Sequence, residues 1–69
     1  MALGREIGRR RRVLRLSLAH LAAECGVSLQ QVHKYETGQS AISVAMLVKL
    51  ARCLDLRPSE LLASVDGVE

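Results

Sequence analysis

Residues 17–38 read SLAHLAAECGVSLQQVHKYETG, and the reading of this stretch decides the fold. Ser17 precedes Leu18, Leu21, Ala22 and Cys25, which share one helical face, so its hydroxyl stands where it can accept from the N–H groups that open a helix. Gly26 follows the last of these apolar residues, the place where a left-handed residue ends a helix. Val27 plugs the corner, Ser28 caps the next helix, and Gln31 stands three residues on in the capping-box position. That helix runs to about Glu36 and is stopped by Thr37-Gly38. Ala22, four residues before Gly26, is small where a crossing helix must approach. The expectation is two short helices joined by a tight one-glycine turn over about residues 18–36.

Helical signals continue on both sides. Leu3, Ile7 and Leu14 recur at helical spacing, which predicts a first helix over about residues 3–15, although Arg10 and Arg11 interrupt its apolar stripe. After the polar loop Gly38-Gln39-Ser40, Ser43 caps a fourth helix whose inner face is Val44, Leu47, Val48, Ala51 and Leu54. Asp55-Leu56-Arg57 turns the chain, and Pro58 suits the first position of a fifth helix with Leu61, Leu62 and Val65 as its stripe. Residues 66–69 read as a frayed tail. With no strand pattern, the expected fold is all-α, five helices in one domain spanning residues 1–69.

Composition supports this and narrows the function. A chain of 69 residues buries only about 60% of its unfolded surface, too little to build a core and also line a deep catalytic cleft. The apolar residues are aliphatic, with Tyr35 the one aromatic, a bias toward helix over strand. No apolar run is long enough to span a membrane, and residues 1–15 lack the pattern of a secretory signal. Those fifteen residues hold six of the ten basic residues (Arg5, Arg9, Arg10, Arg11, Arg12, Arg15) against one acid, Glu6. Such an asymmetry fits either a polyanion, nucleic acid or anionic lipid, or a solvated arginine face. Cys25 and Cys53 are too few for a disulfide scaffold and read as buried, reduced thiols of a cytoplasmic protein. The order His20, Cys25, His33, Cys53 matches no compact zinc spacing, so neither metal nor cofactor is expected.

On the third helix, Val32, Tyr35 and Glu36 fall within one inward sector. Gln30 and Lys34 lie opposite, one turn apart, flanked by Gln31 and His33. The outward face therefore concentrates side chains that hydrogen-bond to base edges, and it carries no acid.

The run Leu21-Ala22 … Gly26-Val27-Ser28 … Val32 … Lys34-Tyr35-Glu36-Thr37-Gly38 resembles the phage-repressor and Cro-type helix-turn-helix family, the Xre-like regulators. Ile7 … Arg11 in the first helix, and Leu47 … Leu50-Ala51 … Leu54 … Leu56 in the fourth, are similar to the same family, so the resemblance covers about residues 3–65. It implies a sequence-specific regulator of transcription that binds double-stranded DNA as a homodimer. It places Ser28, Leu29, Gln30 and Lys34 at base-reading positions, and Gln31 and His33 at the groove's edge. Ser17 and Leu18, at the start of the second helix, and Gln39 and Ser40, in the loop after the third, are implied phosphate contacts, with Arg9 and Arg12 from the first helix. Arg5 and Arg15 are left to solvent. Arg11 and Glu36 fall where the family has a buried ion pair; otherwise Arg11 snorkels to water and Glu36 caps the next turn. Leu56, Leu61, Leu62 and Val65 are the implied dimer interface. Two positions depart from the pattern: Leu18 stands where glutamine is frequent, and Ile42 where proline is common.

Two classes of function compete. The first is a homodimeric repressor that reads a palindromic operator through the major groove. The second is an antitoxin-type module whose main partner is a toxin protein bound through the same leucines. An enzyme is the distant third, since no acid pair, nucleophile–base pair or metal spacing is present.

Overall fold

Three serines set three of the helix starts. In the computed structural model, which describes residues 2–63, five helices follow one another: α1 (Ala2–Val13), α2 (Leu18–Cys25), α3 (Leu29–Thr37), α4 (Val44–Cys53) and α5 (Pro58–Ala63). There is no strand among the described residues. The Ser17, Ser28 and Ser43 hydroxyls accept from the N–H groups of His20, Gln31 and Met46 at 3.0–3.1 Å, contacts worth about 1 kcal/mol each. In α5 the first turn is closed from the other direction: the Glu60 carboxylate accepts from the Arg57 N–H at 2.9 Å.

Helices α1 to α4 all end in the same way. The left-handed residue and the one after it donate back into the last turn, as Gly26 to Ala23 and Val27 to Ala22, or Arg15 to Arg12 and Leu16 to Arg11. Gly26 and Gly38 take this conformation freely, whereas Arg15 and Asp55 adopt it with φ of 59° despite carrying side chains. Arg15 is the reason α1 stops at Val13 and not near residue 15. The turn swings Leu14 out of the expected stripe, leaving it 44% exposed.

The core is built from Ile7, Leu21, Val32, Leu50 and Leu61, all fully buried, with Ala22, Cys25, Tyr35, Leu47, Ala51 and Leu54 around them. Val44, expected on the inner face of α4, is 79% exposed because it opens the helix directly after its cap; Leu50 fills that role instead. Helix α2 packs on α3 and α4, while α1 lies across α3 and reaches α5. The α1–α3 approach depends on Gly4, where a Cβ would overlap the Tyr35 carbonyl oxygen. Val65 and the expected frayed segment 66–69 lie outside the described residues.

Candidate nucleic-acid interface

The outward face of α3 follows from what α3 buries. Val32 and Tyr35 are buried in the core, so Gln30, His33 and Lys34 are turned out and exposed, with Gln31 half-buried beside them. Leu29 is exposed at the N-terminal end of α3, next to the Ser28 cap. Glu36 is the one acid in this helix and it points inward. Its carboxylate accepts from Arg11, Nε to Oε2 at 2.7 Å and Nη2 to Oε1 at 3.2 Å. The exposed side of α3 consequently carries amide, imidazole and ammonium groups and no carboxylate.

Arg11 has a second partner. Its Nη1 donates to the Leu16 carbonyl at 2.8 Å, in the turn that leads to Ser17 and the first residues of α2. One guanidinium thus holds α1, the start of α2 and the end of α3 together. Ser17 is exposed at that start, whereas Leu18 is half-buried and packs its side chain on the core. Gln39 is exposed and Ser40 half-buried in the loop after α3.

The arginines of α1 divide into two groups. Glu6 binds Arg9 through Nε at 3.0 Å and Nη2 at 2.6 Å, and Arg10 through Nε at 2.8 Å. Hydrogen bonds from Arg9 first, then Arg10, hold the Glu6 carboxyl at about 2, well below its ordinary 4.5. Arg9 stays charged but has a carboxylate counter-ion beside it. Arg5 and Arg12 line a shallow groove between α1 and α3 together with Gly4, Gly8, His33, Glu36 and Thr37. Here Arg5, expected to be merely solvated, joins Arg12 and His33. The Glu6 clamp was open to sequence reasoning, since acid and base three and four residues apart meet on a helix. A helical glycine looks like weakness until its neighbour is known: the Tyr35 backbone lies against Gly4, and the Glu36 and Arg12 side chains lie against Gly8.

The leucines assigned to a self-interface are placed differently. Leu56 is half-buried and Leu62 is 37% exposed, but Leu61 is fully buried in the protomer's own core. Leu61 thus packs inside the protomer, between the half-buried Leu56 and the exposed Leu62 in sequence. An open groove beside Leu56 is lined by Arg52, Asp55, Arg57 and Glu60.

With this geometry established, its relatives can be named. A helix-turn-helix family model matches residues 9–61. The HTH-type transcriptional regulator y4aM of Sinorhizobium fredii is 39% identical over 57 residues, 83% of this chain and 40% of its own length. The restriction-modification controller protein C.AhdI of Aeromonas hydrophila superposes with a TM-score of 0.83 at 33% identity, over 87% of this chain and 91% of the other. The P22 c2 repressor, solved in complex with a synthetic operator, gives a TM-score of 0.83 at 26% identity, over 93% and 97% of the two chains. The chain belongs to the phage-repressor and Cro-type helix-turn-helix family of DNA-binding transcriptional regulators. It spans less than half the length of the curated relatives it matches. None of the described helices is long and apolar enough to cross a membrane.

Proposed function

We propose that this chain is the DNA-reading part of a cytoplasmic transcriptional repressor that acts as a homodimer on a palindromic operator and catalyses no reaction. The observation that carries the reading is the fate of Glu36. Arg11 draws the one acid of α3 into the interior, which leaves Gln30, His33 and Lys34 as an exposed face free of negative charge.

In this reading α3 enters the major groove with its N-terminal half against the base edges. Gln30 pairs with an adenine through its amide, Lys34 donates to guanine, and Leu29 touches a thymine methyl beside Ser28. Gln31 and His33 meet the groove's edge. The N-terminus of α2 at Ser17 and Leu18 offers backbone N–H groups to a phosphate, and Gln39 and Ser40 meet the backbone on the other flank. Arg12, with Arg5 in the same groove, supplies charge to the phosphates; Arg9 contributes less because Glu6 holds it. The two protomers join through Leu56 and Leu62.

One recognition helix covers too few base pairs for useful discrimination, which is why the reading requires two. Selection of bound sequences from random duplex DNA at a fixed salt concentration tests it. Enrichment of a two-fold symmetric site supports the reading. A bound pool with no enriched sequence overturns the base-reading assignment, and an enriched single half-site bound by one protomer overturns the dimer. Co-purification with a second small protein and no DNA selectivity would favour the antitoxin-type module.

A further inference from the structure

Cys25 closes α2 and Cys53 closes α4, and the packing of those helices brings their sulfurs to 3.5 Å across 28 residues of sequence. Both are free thiols, and neither lies on the α3 face. Their surroundings are unequal. Cys25 is 3% exposed within the core, and burial, then the Cys53 thiol beside it, pushes its thiol up to about 12. Cys53 is half-buried at the core's margin and followed directly by the turn at Leu54 and Asp55.

We propose that Cys25 and Cys53 are a redox modification site, joined reversibly in an intrachain disulfide with a hydroperoxide as oxidant and Cys53 as the thiol that reacts first. The Cys53 thiolate attacks one peroxide oxygen and the O–O bond breaks. The departing hydroxide takes a proton from solvent, and Cys53 is left as a sulfenic acid. The Cys25 sulfur then attacks the Cys53 sulfur. The S–O bond breaks, and the hydroxyl group leaves as water with the Cys25 thiol proton. In total the two thiols lose two protons and two electrons, and hydrogen peroxide is reduced to two waters.

The roles follow from position. A thiol kept protonated in the core is a poor nucleophile toward peroxide in solvent, but it adjoins the sulfur that it must resolve. The sulfurs have about 1.5 Å further to close to reach bonding distance. Cys53, the last residue of α4, stands where helix gives way to turn and can take up that movement. The bond ties α2 to α4 and leaves every side chain on the outer face of α3 untouched, so it strengthens the fold under oxidising conditions.

The test uses the reduced full chain treated with hydrogen peroxide and followed by intact mass, thiol titration and non-reducing electrophoresis. The expected product has lost two hydrogens and both free thiols, migrates as a single chain, unfolds at a higher temperature and reverts fully with dithiothreitol. With dimedone present during oxidation, the adduct maps to Cys53. Cys25→Ala should accumulate the Cys53 sulfenic acid, and Cys53→Ala should leave Cys25 unmodified at the same peroxide dose. Where a variant does not fold, the dimedone map of the unaltered chain decides the order. Oxygen addition without loss of hydrogens, covalently linked pairs of chains as the main product, or an adduct on Cys25 would overturn the proposal.

Discussion

The guanidinium of Arg11 and the carboxylate of Glu36, 25 residues apart in sequence, meet side by side at 2.7 Å and 3.2 Å with their side chains only 13% and 11% exposed. Removing one member leaves the other charge nearly buried without its ionic counterpart, Arg11 keeping only the Leu16 carbonyl. Glu36→Ala should therefore destabilise the domain by about 3–5 kcal/mol in urea unfolding. Arg11→Met should cost a similar amount, because it also strands the Leu16 carbonyl. A loss under about 1 kcal/mol for Glu36→Ala would show the pair to be dispensable.

Gly4 and Gly26 resist substitution for different reasons, and alanine separates them. At Gly26 a Cβ meets nothing within 4 Å, but φ is 71°, so Gly26→Ala should cost about 1–2 kcal/mol of backbone strain. At Gly4 the backbone is helical and the obstacle is the Tyr35 carbonyl oxygen. Gly4→Ala should cost about 1–3 kcal/mol, and it should do so by forcing α1 away from α3. Amide exchange would locate that difference, with protection lost in α1 for Gly4→Ala and in the α2–α3 turn for Gly26→Ala.

On DNA, Gln30 and Lys34 should be distinguishable by what they lose. Gln30→Ala should lower affinity for the selected site by about 1–3 kcal/mol and leave non-specific binding nearly intact. Lys34→Ala should lower both and make the salt dependence shallower by up to about one unit, since an ammonium acts on phosphates as well as bases. Equal losses of specific and non-specific affinity for Gln30→Ala would show that α3 is not reading bases.

Glu6 sits among arginines, so removing its charge should trade a little stability for affinity. Glu6→Gln releases Arg9 and Arg10, and non-specific DNA binding should become tighter and more steeply salt-dependent, by up to about two units. The cost in stability should stay below about 1 kcal/mol, because Arg9 is largely exposed. The Glu6 carboxyl is depressed in the fold, so its stabilisation is fully present above its ordinary 4.5 and is lost as the pH falls through about 2. The stability gap between the two forms should close over that interval in acid titrations of unfolding.

Local chemistry was legible in the sequence, and spatial chemistry only where the family resemblance carried it, as for Arg11 and Glu36. The caps at Ser17, Ser28 and Ser43 and the stops at Gly26 and Gly38 are written within four residues of where they act, and each helix of the central pair could be bounded from them. The end of α1 could not, because Arg15 supplies a left-handed turn without being glycine. Leu14 and Val44 matched a helical period and yet point to solvent, one past its helix and the other at the first turn. Periodicity assigns a residue to a face but says nothing of what lies against it. For the same reason neither the full burial of Leu61 nor the closeness of Cys25 to Cys53 is visible in the sequence. Which residues of α3 face outward was readable because Val32 and Tyr35 flank them.

The contact from Arg11 to the Leu16 carbonyl bears on how such a surface meets a duplex. With the Glu36 pair it ties the turn before α2 to the end of α3 through one guanidinium, before any target arrives. If α3 reads bases as proposed, the accommodation would fall to the nucleic acid, which would widen, narrow or bend until its phosphates and base edges match that arrangement. Steps that yield easily would then be favoured even where no side chain touches them, so selectivity would extend to base pairs that this chain never contacts.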